Sequence, residues 1–199
     1  TISTLPDHFP VEAGDRLASM RIVPLVTQET QILEAERLCQ GRTLLDLRPY
    51  RPRKTGVIIT GSEIYTGRIQ DKFEPVVRAK LAHYPGEILG VTICDDDLDM
   101  IVRTANGYLA QGADFLIFTG GMSVDPDDRT PLAIRNTGAR IVSYGAPVLP
   151  GAMFLISYMP DGRPVCGLPG CVMYAKRTIF DICLPYLLSD EPITADDLA

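Results

Sequence analysis

The chain has no Cys-x-x-Cys pair, and only two histidines accompany its five scattered cysteines, Cys39, Cys94, Cys166, Cys171 and Cys183. That excludes a zinc site of the usual ligand spacing and a disulfide framework. It predicts reduced, buried thiols that pack as small hydrophobes. Nor is there an excess of basic charge: 19 Lys and Arg stand against 25 Asp and Glu, a net charge of -6. A protein that tracks nucleic acid needs a basic footprint to neutralise phosphates, so that partner class is excluded. The one local basic cluster, Arg48, Arg51, Arg53 and Lys54, is broken by Pro49 and Pro52 and reads as a solvated linker. Long apolar runs are missing too. "FLIF" and "AMFLI" are far too short to span a bilayer, so no membrane partner is expected. The start shows no basic, apolar and small-residue succession of a signal peptide, and a cytoplasmic protein is expected. The first residue is Thr1 and not methionine, as in a fragment or a trimmed chain.

What is present suits a globular domain with a core: 46% of residues are hydrophobic and 22% charged, over 199 residues. Residues 1–53 read as a small α+β segment, with strand-like runs at 20–26 and 43–50 and a helix over 27–39. Alone it is too small to bury a core, so it packs on the main domain or is the remnant of a larger one. From Lys54 strands and helices alternate. The strands are 55–60, 87–94, 113–121 and 139–145, and a hairpin over 152–168 turns at Asp161-Gly162. Helices are expected at 70–83, from Asp95 to Gln111, at "PLAIRNTG", and at 171–188. Residues 189–199 form a tail. The pattern predicts a three-layer α/β/α sandwich with a mostly parallel sheet over 54–188.

In such a sheet ligands bind beyond the carboxyl ends of the strands. The loops there read "TGSEIYTGRI", "CDDDLD", "TGGMSVDPDDRTP", "LPGA" and "LPGC". Each alone has an ordinary structural reading. Gly120-Gly121 is either a phosphate-facing backbone turn, with Ser123 as a donor, or a plain strand-to-helix turn. Asp95, Asp96 and Asp97 either serve a ligand or complement a helix dipole. Thr130 and Pro131 suit a cap and the first helical position. Together the loops point to a phosphorylated ligand with a divalent cation, because a dication reverses the repulsion that Asp125, Asp127 and Asp128 would exert on phosphate.

Four of these segments resemble the molybdopterin-binding (MoaB/Mog-type) domain of molybdenum cofactor biosynthesis proteins, related to MoeA domain III and CinA-like domains. They are "TGSEIYTGRIQD", "TICDDD", "TGGMSVDPDDRTP" and "GLPGCVMYAKRTIF", in the family's order across residues 54–188. The resemblance implies that family's fold and a molybdopterin ligand, with Mg2+ and, for adenylyl or molybdate transfer, ATP and molybdate. It assigns Asp95 and Asp128 to catalysis and metal binding. It assigns Gly61, Glu63, Asp71, Gly120, Gly121, Met122, Ser123, Pro169, Gly170 and Cys171 to the pterin cleft. It also implies a homo-oligomer, dimer or trimer. Other readings are a non-catalytic sensor or carrier, and a CinA-like hydrolase of pyridine nucleotides or ADP-ribose, prompted by "GRIQD".

The chain departs from that pattern. Ser62 stands where the family has aspartate, Asp125 replaces a loop glycine, Cys171-Val172 replaces Asn-Pro, and Phe73 follows Asp71 where Asn or Ser is common. Asp125 adds negative charge, which opposes phosphate binding. Cys171 is expected at a helix N-terminus, where a thiolate is favoured and could contact a dithiolene.

Overall fold

The computed structural model describes residues 1–21, 23–123, 125 and 128–198. The chain divides into two compact units, Thr1–Arg48 and Pro49–Ala199. In the first, β1 (Ile2–Thr4) pairs antiparallel with β2 (Ala18–Met20), and α1 (Glu29–Cys39) comes next with no buried residue. The strand expected at 20–26 reaches only Met20; Ile22 lies outside the described residues, and Pro24 interrupts the remainder of the run. The run at 43–50 is not a strand: Leu44, Leu45 and Leu47 are exposed and pair with nothing that would hold extended backbone.

The second unit carries a six-stranded sheet in the order β4-β3-β5-β8-β7-β6, from β3 (Arg53–Thr60), β4 (Gly86–Cys94), β5 (Phe115–Thr119), β6 (Arg140–Tyr144), β7 (Leu155–Tyr158) and β8 (Pro164–Leu168). Strands β4, β3, β5 and β8 are parallel, and β7 pairs antiparallel with both β8 and β6. The apolar runs within β3 (residues 56–59) and β5 are explained by burial on both faces. Alternate residues serve opposite layers. Val57, Ile59, Phe115 and Ile117 pack with α3 (Phe73–Leu81) and α6 (Ile179–Leu188). Ile58, Leu116 and Phe118 pack with α4 (Leu98–Ala110) and α5 (Thr130–Asn136). The three-layer α/β/α sandwich is therefore present.

Three helix boundaries differ from expectation. Helix α4 starts at Leu98 and not at Asp95, because Asp97 is its N-cap. Helix α3 starts at Phe73 because both oxygens of Asp71 accept from the backbone, at Phe73 N and Glu74 N, each at 2.9 Å. The long helix expected over 171–188 is a 3-10 turn over Gly170–Met173, then a break, then α6. A capping box causes the restart: the Thr178 N–H and hydroxyl both reach Asp181 Oδ2, at 2.7 and 3.0 Å. Past α6, Ile193 and Leu198 are buried in the same core as α3 and α6.

Candidate functional site

Strand register fixes which loops share an edge. Thr60 is level with Cys94, Ile59 with Thr119, and Thr119 with Leu168. The chain therefore leaves β3, β4, β5 and β8 at one edge of the sheet. Gly61–Glu63, Asp95–Asp97, Gly120–Ser123 and Pro169–Cys171 all begin there. β3 lies between β4 and β5, so connections diverge on either side of it and open a crevice at its end.

Two hydrogen-bond networks build this edge. In the first, Ser62 Oγ lies 2.5 Å from Asp95 Oδ1 and 3.0 Å from Asp96 Oδ2, and Ser62 N donates to Asp96 Oδ2 at 2.9 Å. The Asp96 N–H adds a bond to Asp95 Oδ1 at 2.8 Å. The Ser62 hydroxyl, aided by that amide, holds the Asp95 carboxyl below the usual aspartate range. Asp97 is taken up in capping α4, its Oδ1 accepting from Met100 N at 2.6 Å.

The second network shapes the glycine loop. Gly120 and Gly121 have φ of +89° and +50°. A Cβ on Gly120 would stand 2.0 Å from the Thr60 carbonyl oxygen, and one on Gly121 would stand 2.9 Å from Thr130 Oγ1. Only glycine fits both the turn and the approach. Thr130 is buried; its hydroxyl donates to Gly120 O at 2.9 Å and sits 2.9 Å from Thr60 Oγ1. It therefore does not cap α5 as expected, because its oxygen is already committed to the loop. Asp128 Oδ2 accepts from Ser123 N and Oγ at 2.6 and 2.9 Å. A Cβ on Gly121 would lie 3.7 Å from Asp128 Oδ1, so this second oxygen is turned toward the glycines. Tyr144, at the end of β6, donates to Ser123 O at 2.8 Å. Burial, and then the charge of Asp128, raise the Tyr144 phenol above its ordinary value. Asp125 is exposed and its amide donates to Ser123 Oγ at 3.2 Å; Asp127 lies outside the described residues.

Other expected site residues have different duties. Met122 is buried and its side chain points into the core, with its methyl carbon 2.4 Å from where a Cβ on Gly167 would be. Only its backbone can serve the loop. Asp71 caps α3, and Glu63 is exposed in the short helix α2 (Ser62–Tyr65). Pro169 and Gly170 begin the 3-10 turn, and Cys171, half-buried within it, lacks the long helix whose dipole was expected to act on it. The "LPGA" turn is spent on packing: a Cβ on Gly151 would meet Ile179 Cγ2 at 2.6 Å. Asp95 and Asp128 belong to separate networks. Among the described residues no group of three His, Cys, Asp or Glu forms a ready metal cage.

Ser62, Thr60 and Tyr144 were not expected here as partners, and Thr119 was also missed. Thr119 Oγ1, at the end of β5, is buried and has no hydrogen-bond partner among the described residues. Ser62 stood out in sequence only as a departure, whereas the two threonines are ordinary strand residues until the register is known.

A family model described as a probable molybdopterin binding domain matches residues 56–189. CinA-like proteins of Mycobacterium sp. (strain JLS) and Mycobacterium tuberculosis (strain ATCC 25618 / H37Rv) are each 34% identical over 77 residues. That stretch is 39% of this chain and spans only 18% of the length of each relative. Among solved structures, the molybdopterin biosynthesis enzyme MoaB of Thermus thermophilus aligns with a TM-score of 0.59 at 24% identity, covering 68% of this chain and 91% of that one. The CinA protein of Thermoplasma acidophilum aligns with a TM-score of 0.55 at 19% identity, covering 68% and 98%. These structural likenesses establish the fold. No helix among the described residues is long and apolar enough to cross a membrane.

Proposed function

The chain belongs to the molybdopterin-binding domain family, and from that premise we propose that it binds the phosphorylated pterin itself, in cofactor biosynthesis or delivery, at the sheet edge just described. The observation that carries this reading is the Gly120-Gly121 turn, locked by Thr60 and Thr130 so that backbone passes where no side chain fits. Such a turn offers amides to a phosphate without the entropy of ordering side chains. On this reading Pro169, Gly170 and Cys171, which follow the neighbouring strand β8, would line the site as well.

The donor chemistry fits magnesium only in part. Asp95 and Asp128 offer hard oxygens, and the hydrogen bonds named above leave Asp95 Oδ2 and Asp128 Oδ1 for an ion. Magnesium ordinarily takes one or two carboxylates and completes its shell with phosphate and water. Those two aspartates are the residues that would hold it, and the ion would offset the ligand's phosphate charge. Adenylyl or molybdate transfer, using ATP or molybdate, then needs no protein nucleophile, since positioning and charge suffice for phosphoryl chemistry.

The experiment is a titration of 15N-labelled protein with molybdopterin. Saturable shifts at Gly120, Gly121 and Ser123 support the proposal; shifts elsewhere, or none, refute it. ATP turnover in the presence of molybdopterin distinguishes a transferase from a carrier. The similarity to CinA-like proteins over 77 residues supports one second reading, hydrolysis of pyridine nucleotides or ADP-ribose at the same edge. Release of nicotinate mononucleotide or ribose phosphate would identify it.

A further inference from the structure

The Ser123 donors expected to meet a ligand's phosphate already hold an anionic oxygen. Asp128 Oδ2 accepts from both Ser123 N and Ser123 Oγ, at 2.6 and 2.9 Å. The Asp125 amide donates to Ser123 Oγ at 3.2 Å, so that oxygen accepts from one side and gives its single proton on the other. The Tyr144 hydroxyl donates to the Ser123 carbonyl at 2.8 Å and anchors the residue independently of Asp128. Every polar group of Ser123 is thus engaged within the chain, although the residue itself is exposed.

Two donors of one residue converging on one carboxylate oxygen form the arrangement that also receives a phosphate oxygen. The carboxylate is in effect the chain's own stand-in for an anionic ligand. Bonds to an ionised acceptor are roughly twice as strong as neutral ones. The N–H and the O–H have one hydrogen each, so they cannot fully serve two oxyanions at once. If both anions stayed, two like charges would also meet at contact distance. A phosphate oxygen taking these donors must therefore displace Asp128 Oδ2.

We propose that Asp128 is a built-in competitor for the phosphate-binding donors of this loop: its carboxylate on Ser123 closes the loop, and a phosphate group binds only in exchange for it. The proposal rests on the glycine edge as the ligand site and adds a means of regulating that site. By linkage, whatever draws Asp128 away from Ser123 strengthens phosphate binding, and phosphate favours that departure by the same factor. A cation held by the released carboxylate would act in this sense as well as through its charge. The carboxylates of the glycine loop then have a use beyond holding metal, because one of them keeps the cradle occupied until the ligand arrives.

The test follows the Ser123 amide by 1H–15N NMR in the intact 199-residue chain during titration with inorganic phosphate, at constant ionic strength and without magnesium. Its bond to a carboxylate holds the wild-type amide proton downfield. Asp128→Ala should move that proton upfield and tighten phosphate at least about 10-fold, the scale of one charge-assisted hydrogen bond. Loss of a surface charge alone accounts for about 2- to 5-fold, so Ser123→Ala is compared in both backgrounds. With Asp128 present, competitor and ligand both lose the hydroxyl, and affinity should change less than about 2-fold; in Asp128→Ala it should fall at least about 5-fold. If Asp128→Ala disorders the loop, the cycle is read in Asp128→Asn, which keeps the shape and leaves a weaker, neutral acceptor. There phosphate should bind more tightly than to wild type, with the amide moved part of the way upfield. Equal effects of Ser123→Ala in the two backgrounds, a gain no larger than the charge alone gives, or no saturable phosphate binding in either Asp128 variant would overturn the proposal. Molybdopterin shifts at Ser123 with an additive cycle would sink the competitor and leave the site standing. A non-additive cycle with phosphate, in a chain that does not bind molybdopterin, would support the competitor and refute the pterin reading.

Discussion

The Ser62 hydroxyl lies 2.5 Å from Asp95 Oδ1 and so ties the loop after β3 to the loop after β4. The same hydroxyl is 3.0 Å from Asp96, yet it has one proton to give. Three oxygens are thereby gathered at the rim of the crevice by a neutral side chain at the position where the resembling family has aspartate.

Replacing Ser62 with alanine should raise the Asp95 pKa toward the ordinary aspartate value, because the hydroxyl is the largest cause of its lowering. A depressed carboxyl contributes stability above its unfolded pKa of about 3.9 and loses it as pH falls through the lower folded value. The wild-type chain should therefore be favoured by this contact at a pH of about 5 and lose that advantage in more acid solution. Carbon-13 titration of the Asp95 carboxyl reads the shift. Identical titration curves in the two proteins would remove the hydroxyl as its cause.

Gly120 and Gly162 share a φ of +89°, but only Gly120 faces a backbone atom within contact distance. Gly162→Ala should cost about 1–2 kcal/mol, the penalty of the left-handed conformation alone. Gly120→Ala should cost several kcal/mol, on the order of 3 or more, because the Thr60 carbonyl must move. Urea unfolding of both variants compares them directly. Equal losses would mean that the loop is looser than its contacts with Thr60 and Thr130 imply.

Much of this was readable from the residues. The apolar runs of β3 and β5 announced strands buried on both faces, and Asp161-Gly162 announced the hairpin. The glycine pair announced a tight turn at the right edge. Three features were hidden. "TLLDLRPY" has the composition of a strand, but composition does not supply a neighbouring strand to pair with. Thr-Pro suits a helix cap, whereas the partners of the Thr130 hydroxyl, Gly120 O and Thr60, are 10 and 70 residues away. The restart of the last helix did have a local signal, Thr178 three residues before Asp181, which the periodic apolar run around it obscured.

The two loop aspartates should separate in their effects. Asp128→Asn removes the charge facing the glycines and should abolish any magnesium dependence of molybdopterin binding. Asp125→Gly removes an exposed charge and should tighten phosphate binding by about 2- to 5-fold, the worth of roughly one surface charge. Calorimetry on both variants checks this, and the reverse ranking would exchange their roles.

Thiol chemistry should follow burial. Cys166 is held well above the usual thiol range and Cys183 is pushed up to about 12, in both cases chiefly by burial. At a pH of about 8 a disulfide reagent should modify exposed Cys39 and half-buried Cys171 in the native chain, and Cys94, Cys166 and Cys183 only after unfolding. Molybdopterin should protect Cys171 and leave Cys39 reactive. Unchanged labelling of Cys171 would remove it from the pterin site.

If the glycine edge of the sheet is the pterin site proposed above, magnesium held by Asp95 and Asp128 should offset its ligand's phosphate charge. Calorimetric titration of the chain with molybdopterin, with and without magnesium, decides this. Saturable binding is expected, strengthened by magnesium at least about 10-fold, the scale of one well-placed charge interaction. No binding heat under either condition would contradict a pterin site at this edge.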